Sequence, residues 1–533
     1  MPKLRTRRQG RPRWPFTLLA LAGALAIAFP AGVLADDGYT TGSDPYVAIK
    51  AGVAGSVVPL INSGEVLDGV TFEGIPDGIG VRPGPRNSGY VDLYVAHEQS
   101  HVPFQGFADY QDSSVSRVRV DVASRSITGL EIALSPDLGL IRFCSAFMAG
   151  PDQGFGRYTF LVNEESNDIL PVPAGAPYGS DPSVAPYRQG GYSAYIETTS
   201  GLGETSKIGV LTSGGRHNHE NQVIVPGWRK GIVSLSGDDT FTSPSTVARP
   251  NLSQLYMLRA KNANHFLKDD GTLWAFRVTG TQAGPVAPAD PQNGANDFFE
   301  IGTGMSWTGE FIPVPDDVAR GTTAAKPQDA LEDWSNANNI FQFIRVEDIA
   351  YDPDAPRTVY FADTGNSRLI EDSGTGRLYR APSGTSGTSA SLGRIFKMAF
   401  NAEDPTKVDA FSVLTEASTL GMRNPDNLAV GHSSLMVQED TSDAKIWRYS
   451  LSGGTWAHVA TATQPTAETS GITDVSEWFG PGWWALDVQS HVNQLATSGQ
   501  PFTWTDPPGP PIGTRYDKRR EDGQLLLMHL DGS

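Results

Sequence analysis

The sequence predicts an all-β protein in which many short strands close into a propeller. Short apolar and aromatic segments recur along the chain, and several of them follow a turn glycine and a polar residue. No comparable stretch repeats its apolar residues with the 3.6-residue period of a helix, so we expect few and short helices. The strand-like segments are residues 90–95, 158–162, 255–259, 273–278, 359–362, 378–380, 395–400, 446–449, 483–488 and 525–530.

The length of the chain favours one large propeller over a series of separate domains. Blades of about 40–50 residues can repeat until a ring closes, and we expect six blades in a single domain over residues 36–533. Six blades of this size use only part of the chain, so we expect the remaining residues to form long loop insertions. Segments rich in Pro, Gly, Ser and Thr supply them at residues 280–296, 383–391 and 505–517.

The first 35 residues have the pattern of a signal peptide. Six basic residues precede an apolar run, and the small-residue segment Val33-Leu34-Ala35 comes before an acidic start at Asp36. The run is too short for a comfortable membrane span, and we expect cleavage after Ala35. The sequence therefore predicts export to the periplasm or the extracellular space, by the Sec or the Tat route, and no membrane span in the mature chain.

The charge of the predicted mature chain excludes some partners. Without its first 35 residues it has 35 Lys and Arg against 59 Asp and Glu, a net charge of −24. Such acidity argues against nucleic acid and anionic membranes as partners. Cys144 is the only cysteine, so no internal disulfide can form. We expect a monomer that acts on small molecules.

The segment of residues 341–365 predicts a β-hairpin with chemistry on one face. Two strand-like runs flank the turn Asp352-Pro353-Asp354. Arg345 and Glu347 are two residues apart, so their side chains project from the same face of the first strand. An ion pair at a sheet edge would explain them, but similar charged residues recur where other strands end.

These recurring residues predict a metal site. Strand ends from all blades of a propeller meet around one channel, so residues far apart in the sequence can converge there. Carboxylates that converge repel each other unless cations are bound, and several hard oxygen ligands suit calcium. A thiolate among carboxylates suits iron better, although Cys144 could also be inert packing and the acids exposed turn residues. The residues in question are Glu98, Cys144, Glu164, Glu165, His217, His219, Glu220, Asp426, Glu439, Asp440, Asp487 and Gln489.

The order of the motifs resembles the PhoX-type alkaline phosphatases and their wider relatives. The motifs are HEQSH, FCSAFMAG followed by NEES, HNHEN, IRVEDIAYDP with VYFADT, NPDNLAV and LMVQED, and the resemblance runs from about Gly69 to the C-terminus. It implies a six-bladed propeller, export, and hydrolysis of phosphate monoesters that depends on Ca²⁺ and Fe³⁺.

The resemblance also implies roles for individual residues. Cys144, Glu220 and Glu347 correspond to iron ligands, and Arg345 to the catalytic arginine that binds the substrate phosphate. We expect His219 to contact the substrate as well. The calcium-site candidates are Glu98, Glu164, Glu165 and Asp426, followed by Asp440 and Glu439.

Three functions from different classes stay open at this point. The first is a metal-dependent phosphatase. The second is another hydrolase on a calcium propeller, such as a lactonase or a phosphodiesterase, for which Arg345 would be dispensable with uncharged substrates. The third is a secreted binding propeller that uses calcium for stability and needs neither iron nor Cys144.

Overall fold

Antiparallel strands make up most of the protein. The computed structural model describes residues 38–98, 113–240, 250, 252–286, 296–322, 326–373, 377–381, 385, 387–490 and 522–532. Within these residues the strands are β1 (Val47–Ile49), β2 (Gly55–Asn62), β3 (Val66–Leu67), β4 (Val70–Thr71), β5 (Pro76–Pro83), β6 (Tyr90–His97), β7 (Ser114–Asp121), β8 (Ser126–Leu134), β9 (Phe143–Ala149), β10 (Thr159–Glu164), β11 (Ile169–Pro171), β12 (Tyr187–Gln189), β13 (Ser193–Glu197), β14 (Lys207–Leu211), β15 (His219–Ile224), β16 (Ile232–Asp238), β17 (Leu255–Ala260), β18 (Gly271–Thr281), β19 (Gly284–Pro285), β20 (Trp307–Pro313), β21 (Val346–Asp352), β22 (Ala355–Asp363), β23 (Asn366–Glu371), β24 (Leu378–Arg380), β25 (Ser389–Ser391), β26 (Arg394–Phe400), β27 (Lys407–Glu416), β28 (Pro425–Val430), β29 (Ser434–Glu439), β30 (Lys445–Ser450), β31 (Trp456–Ala462), β32 (Ala467–Asp474), β33 (Trp483–Ser490) and β34 (Asp522–Leu530).

Helices are few and short in the described part of the chain, as the missing 3.6-residue period predicted. The longest is the 11-residue α3, which has a proline in its first turn. None of these helices is long and apolar enough to cross a membrane. The α-helices are α1 (Ala263–Phe266), α2 (Asp316–Ala319), α3 (Pro327–Ala337), α4 (Ala417–Leu420) and α5 (Ser476–Phe479), and 3₁₀ turns occur at Pro136–Leu138, Pro151–Gln153 and Phe298–Glu300.

Six four-stranded antiparallel units surround a common centre. We number them sheets I to VI: β5-β6-β7-β8, β9-β10-β13-β14, β15-β16-β17-β18, β21-β22-β26-β27, β28-β29-β30-β31 and β32-β33-β34-β2. The first strand of each sheet contacts the first strand of the next, and β32 contacts β5, so that these inner strands form a closed ring. The expectation of an all-β propeller is confirmed.

Three further pairings connect, close or extend the sheets. β20 pairs with both β18 and β27 and so joins sheets III and IV edge to edge. β2, from near the start of the described chain, pairs with β34 and completes sheet VI. β1 pairs with β31 at the outer edge of sheet V.

The apolar core is divided among the spaces between neighbouring sheets. Each space holds one cluster of buried side chains, because both faces of a middle strand pack against a neighbouring sheet. Between sheets I and II, for example, Tyr94 and Val115 pack with Phe143, Phe160 and Val162. Comparable clusters fill the other five spaces, and a further one packs α2 and α3 against sheet III. This packing fixes the ring of inner strands that carries the site.

Candidate metal centre

The second residue of every inner strand lines one cavity at the centre of the ring. Because the six strands are equivalent and their ends meet, side chains at the same position face one another. Five of these residues are acids and the sixth is the cysteine. In sheet order they are Asp77, Cys144, Glu220, Glu347, Asp426 and Glu468.

A second set of acids enters the same cavity from the neighbouring strands. In sheets I, II, III and V the residue that directly follows the second strand is acidic and lines the cavity. These residues are Glu98, Glu165, Asp239 and Asp440. The cavity measures about 310 Å³ and its lining is completed by Arg142, Arg345 and Gln489. We call it the acidic cavity.

The side chains of the acidic cavity lie close enough together to hold metal ions. Three groups have ligand atoms within 4.8 Å of one another. Cys144 and Glu220 each belong to two of these groups, so the groups form a continuous series. They are Asp77 with Glu98 and Cys144, Cys144 with Glu165 and Glu220, and Glu220 with Glu347 and Asp426.

Burial and mutual repulsion make these acids hard to ionise without cations. Burial, followed by the neighbouring carboxylates, raises the pKa of Glu165, Glu220 and Asp426 well above the usual range. The same two causes raise the pKa of the Cys144 thiol. Oδ1 of Asp426 has no hydrogen-bond partner among the described residues. A buried set of oxygen and sulfur donors with these properties fits metal ions.

Burial also raises the pKa of Asp77, to about 7, although several donors surround it. The Cys144 thiol donates to Asp77 Oδ2 at 3.3 Å. Nε2 of Gln489 donates to the same oxygen at 2.8 Å and to Glu98 Oε1 at 3.0 Å. Gln489 therefore connects two acids that come from different strands of sheet I.

A layer of small polar side chains supports the ligand candidates from behind. Ser145 Oγ donates to Glu220 Oε1 at 2.8 Å. Asn427 Nδ2 donates to Ser145 Oγ at 2.6 Å, and Ser470 Oγ donates to Asn427 Oδ1 at 2.8 Å. Partners of this kind fix the orientation of a ligand carboxylate, and their loss typically weakens metal binding.

Arg345 is held at the wall of the acidic cavity by a bidentate ion pair. Its Nε and one terminal nitrogen donate to the two carboxylate oxygens of Asp239 at 2.7 and 2.6 Å. The same terminal nitrogen lies 3.2 Å from Glu347 Oε1, which agrees with the prediction that Arg345 and Glu347 share one face. Burial opposes the charge of Arg345, but Asp239 and Glu347 keep its pKa well above the usual range. The guanidinium is therefore a fixed positive group among acids.

The structure places Glu164 away from the cavity, in an ion pair inside sheet II. Arg188 donates to both of its carboxylate oxygens, at 2.5 and 2.7 Å. The backbone amides of Ile141 and Tyr192 donate to the same carboxylate, each at 3.0 Å. The carboxylate of Glu164 thus accepts hydrogen bonds within sheet II. The neighbouring residue Glu165 lines the cavity instead.

His219 and Glu439 are also held by the sheets and do not line the cavity. The two ring nitrogens of His219 lie 2.8 Å from Ser236 Oγ and 3.0 Å from Gly215 O, and burial lowers its pKa to about 3. Oε1 of Glu439 accepts the indole N–H of Trp447 at 2.8 Å. The roles expected for His219 at the substrate and for Glu439 at calcium stay predictions.

Sequence reasoning missed four residues of the lining. They are Asp77, Arg142, Asp239 and Glu468. A repeated sequence pattern could have found Asp77 and Glu468. The second position of each inner strand holds a ligand candidate, and a small or polar residue follows it. The six pairs are Asp77-Gly78, Cys144-Ser145, Glu220-Asn221, Glu347-Asp348, Asp426-Asn427 and Glu468-Thr469.

Comparison with known proteins assigns the family. The model of the family described as "Alkaline phosphatase PhoX" matches residues 191–477, which is more than half of the chain and includes Glu220, Arg345, Glu347 and Asp426. The chain belongs to the PhoX alkaline phosphatase family. The resemblance seen in the motifs is confirmed. Among curated proteins, none matches the sequence.

One solved structure agrees with this assignment at the level of the fold. The structure of Pseudomonas fluorescens PhoX in complex with vanadate, a transition state analogue, superposes with a TM-score of 0.56 at 14% identity, covering 91% of this chain and 96% of that chain. The NanB sialidase from Streptococcus pneumoniae gives a TM-score of 0.37 at 8% identity and covers 78% of this chain and 65% of that one. The PhoX likeness therefore extends over nearly the whole fold, including the sheets that precede the matched family region.

Proposed function

We propose that this protein is an exported phosphatase that hydrolyses phosphate monoesters at an iron and calcium centre in the acidic cavity. The observation that carries the proposal is the placement of Arg345 beside a ring of buried and half-buried acids and one thiol. A phosphate monoester is a dianion and cannot enter a ring of carboxylates unless cations compensate their charge. Family membership supports the same reaction class.

The donor set favours different metals in different parts of the cavity. Cys144 supplies one soft donor, so it and Glu220, with which it shares a group of ligand atoms, are our candidates for iron. Glu347 joins them through Glu220. Five of the seven remaining acids are our candidates for calcium, which suits oxygen donors: Asp77, Glu98, Glu165, Asp426 and Asp440. When bound, such ions neutralise the phosphate charge and position the reacting oxygens.

The side chains of this protein have separate tasks in the proposed reaction. Arg345 binds phosphate oxygens through its guanidinium, whose plane is fixed by Asp239. Ser145 holds the Glu220 carboxylate in one orientation. Gln489 keeps Asp77 and Glu98 at a fixed separation. The polar groups of the cavity are thus oriented before a substrate binds. Such preorganisation provides most of the rate enhancement of a charged active site.

The proposal includes export and a small phosphorylated substrate. The signal-peptide prediction concerns residues 1–35, and residues 1–37 lie outside the described part of the chain. Its support is the basic and apolar pattern of the sequence. His101, His491 and the loop of residues 505–517 also lie outside the described residues.

The test is to measure metal content and turnover on the same preparations. The full chain is purified without chelator, its iron and calcium are measured, and its turnover of p-nitrophenyl phosphate is compared with that of Cys144→Ala and Arg345→Lys. We expect Cys144→Ala to lose iron together with activity. Arg345→Lys should retain metal but lose at least about tenfold in kcat/KM, since a lysine cannot reproduce the bidentate geometry.

Two results would contradict the proposal. A parent protein that holds calcium without iron, unchanged by Cys144→Ala, would remove the iron centre. Turnover of an uncharged lactone that survives Arg345→Lys, with no turnover of the phosphate ester, would assign the site to another hydrolase.

A further inference from the structure

A second and larger cavity lies further along the same inner strands. It measures about 840 Å³, which is within the usual range for sites that bind small organic molecules. The middle residues of the inner strands form its walls, for example Ile79, Ala146 and Leu428. The exposed residues Asp152, His432 and Glu477 lie at its rim, so it opens to solvent there. We call it the aromatic cavity.

The charged groups of the aromatic cavity have one sign. Asp152, Asp474 and Glu477 line it together with Asp348, whose pKa burial raises to about 7, and its described lining contains no lysine or arginine. The histidine at the rim, His432, is directed to Asp354, with 2.9 Å between Nδ1 and Oδ1. A concave site whose walls have a low dielectric constant and whose charged groups are all negative concentrates cations.

Aromatic rings complete the walls between these carboxylates. Phe147, Tyr158, Tyr351 and Trp478 line the cavity. The rings of Phe147 and Tyr351 are 6.4 Å apart in an edge-to-face arrangement, and Tyr351 is oriented by a 2.8 Å hydrogen bond from Gln153 to its hydroxyl. The faces of such rings attract organic cations. The apolar surface around them favours an organic molecule over a bare hydrated metal ion.

A buried acceptor at the inner end of the cavity points to a ligand that donates hydrogen bonds. Asn221 is 1% exposed, and its Nδ2 donates to Asp348 Oδ1 and to Ile349 O. Asn221 lines the cavity, and its Oδ1 has no hydrogen-bond partner among the described residues. A buried amide oxygen without a donor is costly. A ligand with an N–H group would satisfy it.

We propose that the aromatic cavity binds a small organic ammonium ion that carries at least one N–H donor. The ammonium group lies at the inner end of the cavity and donates to Asn221 Oδ1, and the carbon skeleton packs against Phe147, Tyr351 and Trp478. The carboxylates of Asp474 and Glu477, nearer the rim, attract the cation into the cavity. The layer of Asn221 and Asp348 separates this site from the acidic cavity. Ammonium binding is therefore independent of phosphate hydrolysis.

Titration calorimetry on the full-length, metal-loaded protein tests the proposal with 2-phenylethylammonium chloride and its neutral counterpart 2-phenylethanol. We expect saturable binding of the ammonium ion and binding of the alcohol that is at least about tenfold weaker, because the shared ring contributes equally to both. The double variant Asp474→Asn/Glu477→Gln should weaken ammonium binding at least about fivefold. In that variant an asparagine oxygen can still accept the 2.7 Å bond that Ser476 N donates to Asp474.

The matched control removes two negative charges elsewhere. Glu403 and Asp409 are exposed and do not line the cavity, so Glu403→Gln/Asp409→Asn should leave ammonium binding unchanged. No saturable binding of the ammonium ion into the millimolar range would overturn the proposal, as would equal binding of the alcohol. An equal loss in both double variants would also overturn it. The comparison between the two ligands needs no variant, so a variant that fails to fold leaves the test intact.

Discussion

The two cavities use the same six strands but opposite kinds of side chain. The second residues of the inner strands are acids and a thiol, whereas the middle residues are mostly apolar or aromatic. Between them lies a polar layer that includes Ser145, Asn221, Asp348 and Asn427. The chemistry thus changes along each strand and is repeated from strand to strand. The ring of strands sets the position of each side chain. The residue type at each level along the strands determines which ligand can bind there.

Removal of the metal ions should have the largest effect, and it should change the acidic cavity but not the aromatic cavity. We expect chelation of iron and calcium to abolish turnover and to lower the unfolding temperature, since the buried acids then repel each other without compensation. An ion present at 100 times its Kd stabilises the folded state by about 2.7 kcal/mol. Ammonium binding in the aromatic cavity should survive below the new unfolding temperature. Calorimetry with and without chelator measures both effects, and an unchanged unfolding temperature would contradict the metal assignment.

Asp239→Asn should have the next largest effect, again confined to the acidic cavity. It removes one charged partner of Arg345 and loosens the guanidinium, so kcat/KM should fall by about 10- to 100-fold while iron content stays the same. The neighbouring Asp238→Asn is the control. Asp238 does not line the acidic cavity, and burial raises its pKa well above the usual range. The same Asp-to-Asn change is thus made one residue away, outside the cavity. Equal losses in the two variants would show that Asp239 has no specific role in positioning Arg345.

Gly78→Ala should give the smallest effect, on stability. A Cβ at Gly78 would lie 2.2 Å from Ala146 N and 2.5 Å from Ser145 C, so β5 and β9 would have to move apart. We expect the free energy of unfolding to fall by roughly 1–3 kcal/mol, measured by chemical denaturation. Gly42→Ala meets nothing within 4 Å and should be close to neutral. A neutral Gly78→Ala would mean that neighbouring inner strands are not closely packed at this level.

The sequence was sufficient for the fold class because each strand carries its own local signal. The hairpin predicted for residues 341–365 is β21 and β22, with the turn at Asp352-Pro353-Asp354. The closure of sheet VI by β2 and the bridge made by β20 could not be predicted, because strand partners far apart in the chain leave no local pattern. Among the site residues, Cys144, Glu220, Arg345 and Glu347 stood out by type and motif.

Adjacent acids were the point at which sequence reasoning could not decide. In the pairs Glu164-Glu165, Asp238-Asp239 and Glu439-Asp440 the first residue ends a strand and the second lines the acidic cavity. Successive residues of a strand point to opposite faces, so one position decides between an internal ion pair and a metal-ligand candidate. A register shift in β10 between Val162 and Glu164 adds to the ambiguity there.

The pairing of β2 with β34 has a consequence for the order of assembly. These strands, together with the bond from Tyr46 N to Gln524 Oε1 across 478 positions, hold the beginning and the end of the described chain in one sheet. Until they pair, β34 has an unpaired edge and sheet VI lacks its fourth strand. Glu468 and Gln489 already face each other across β32 and β33, so the closure adds Asp77 of sheet I, whose carboxylate accepts a hydrogen bond from Gln489. The acidic cavity is therefore complete only when both ends of the described chain are in place.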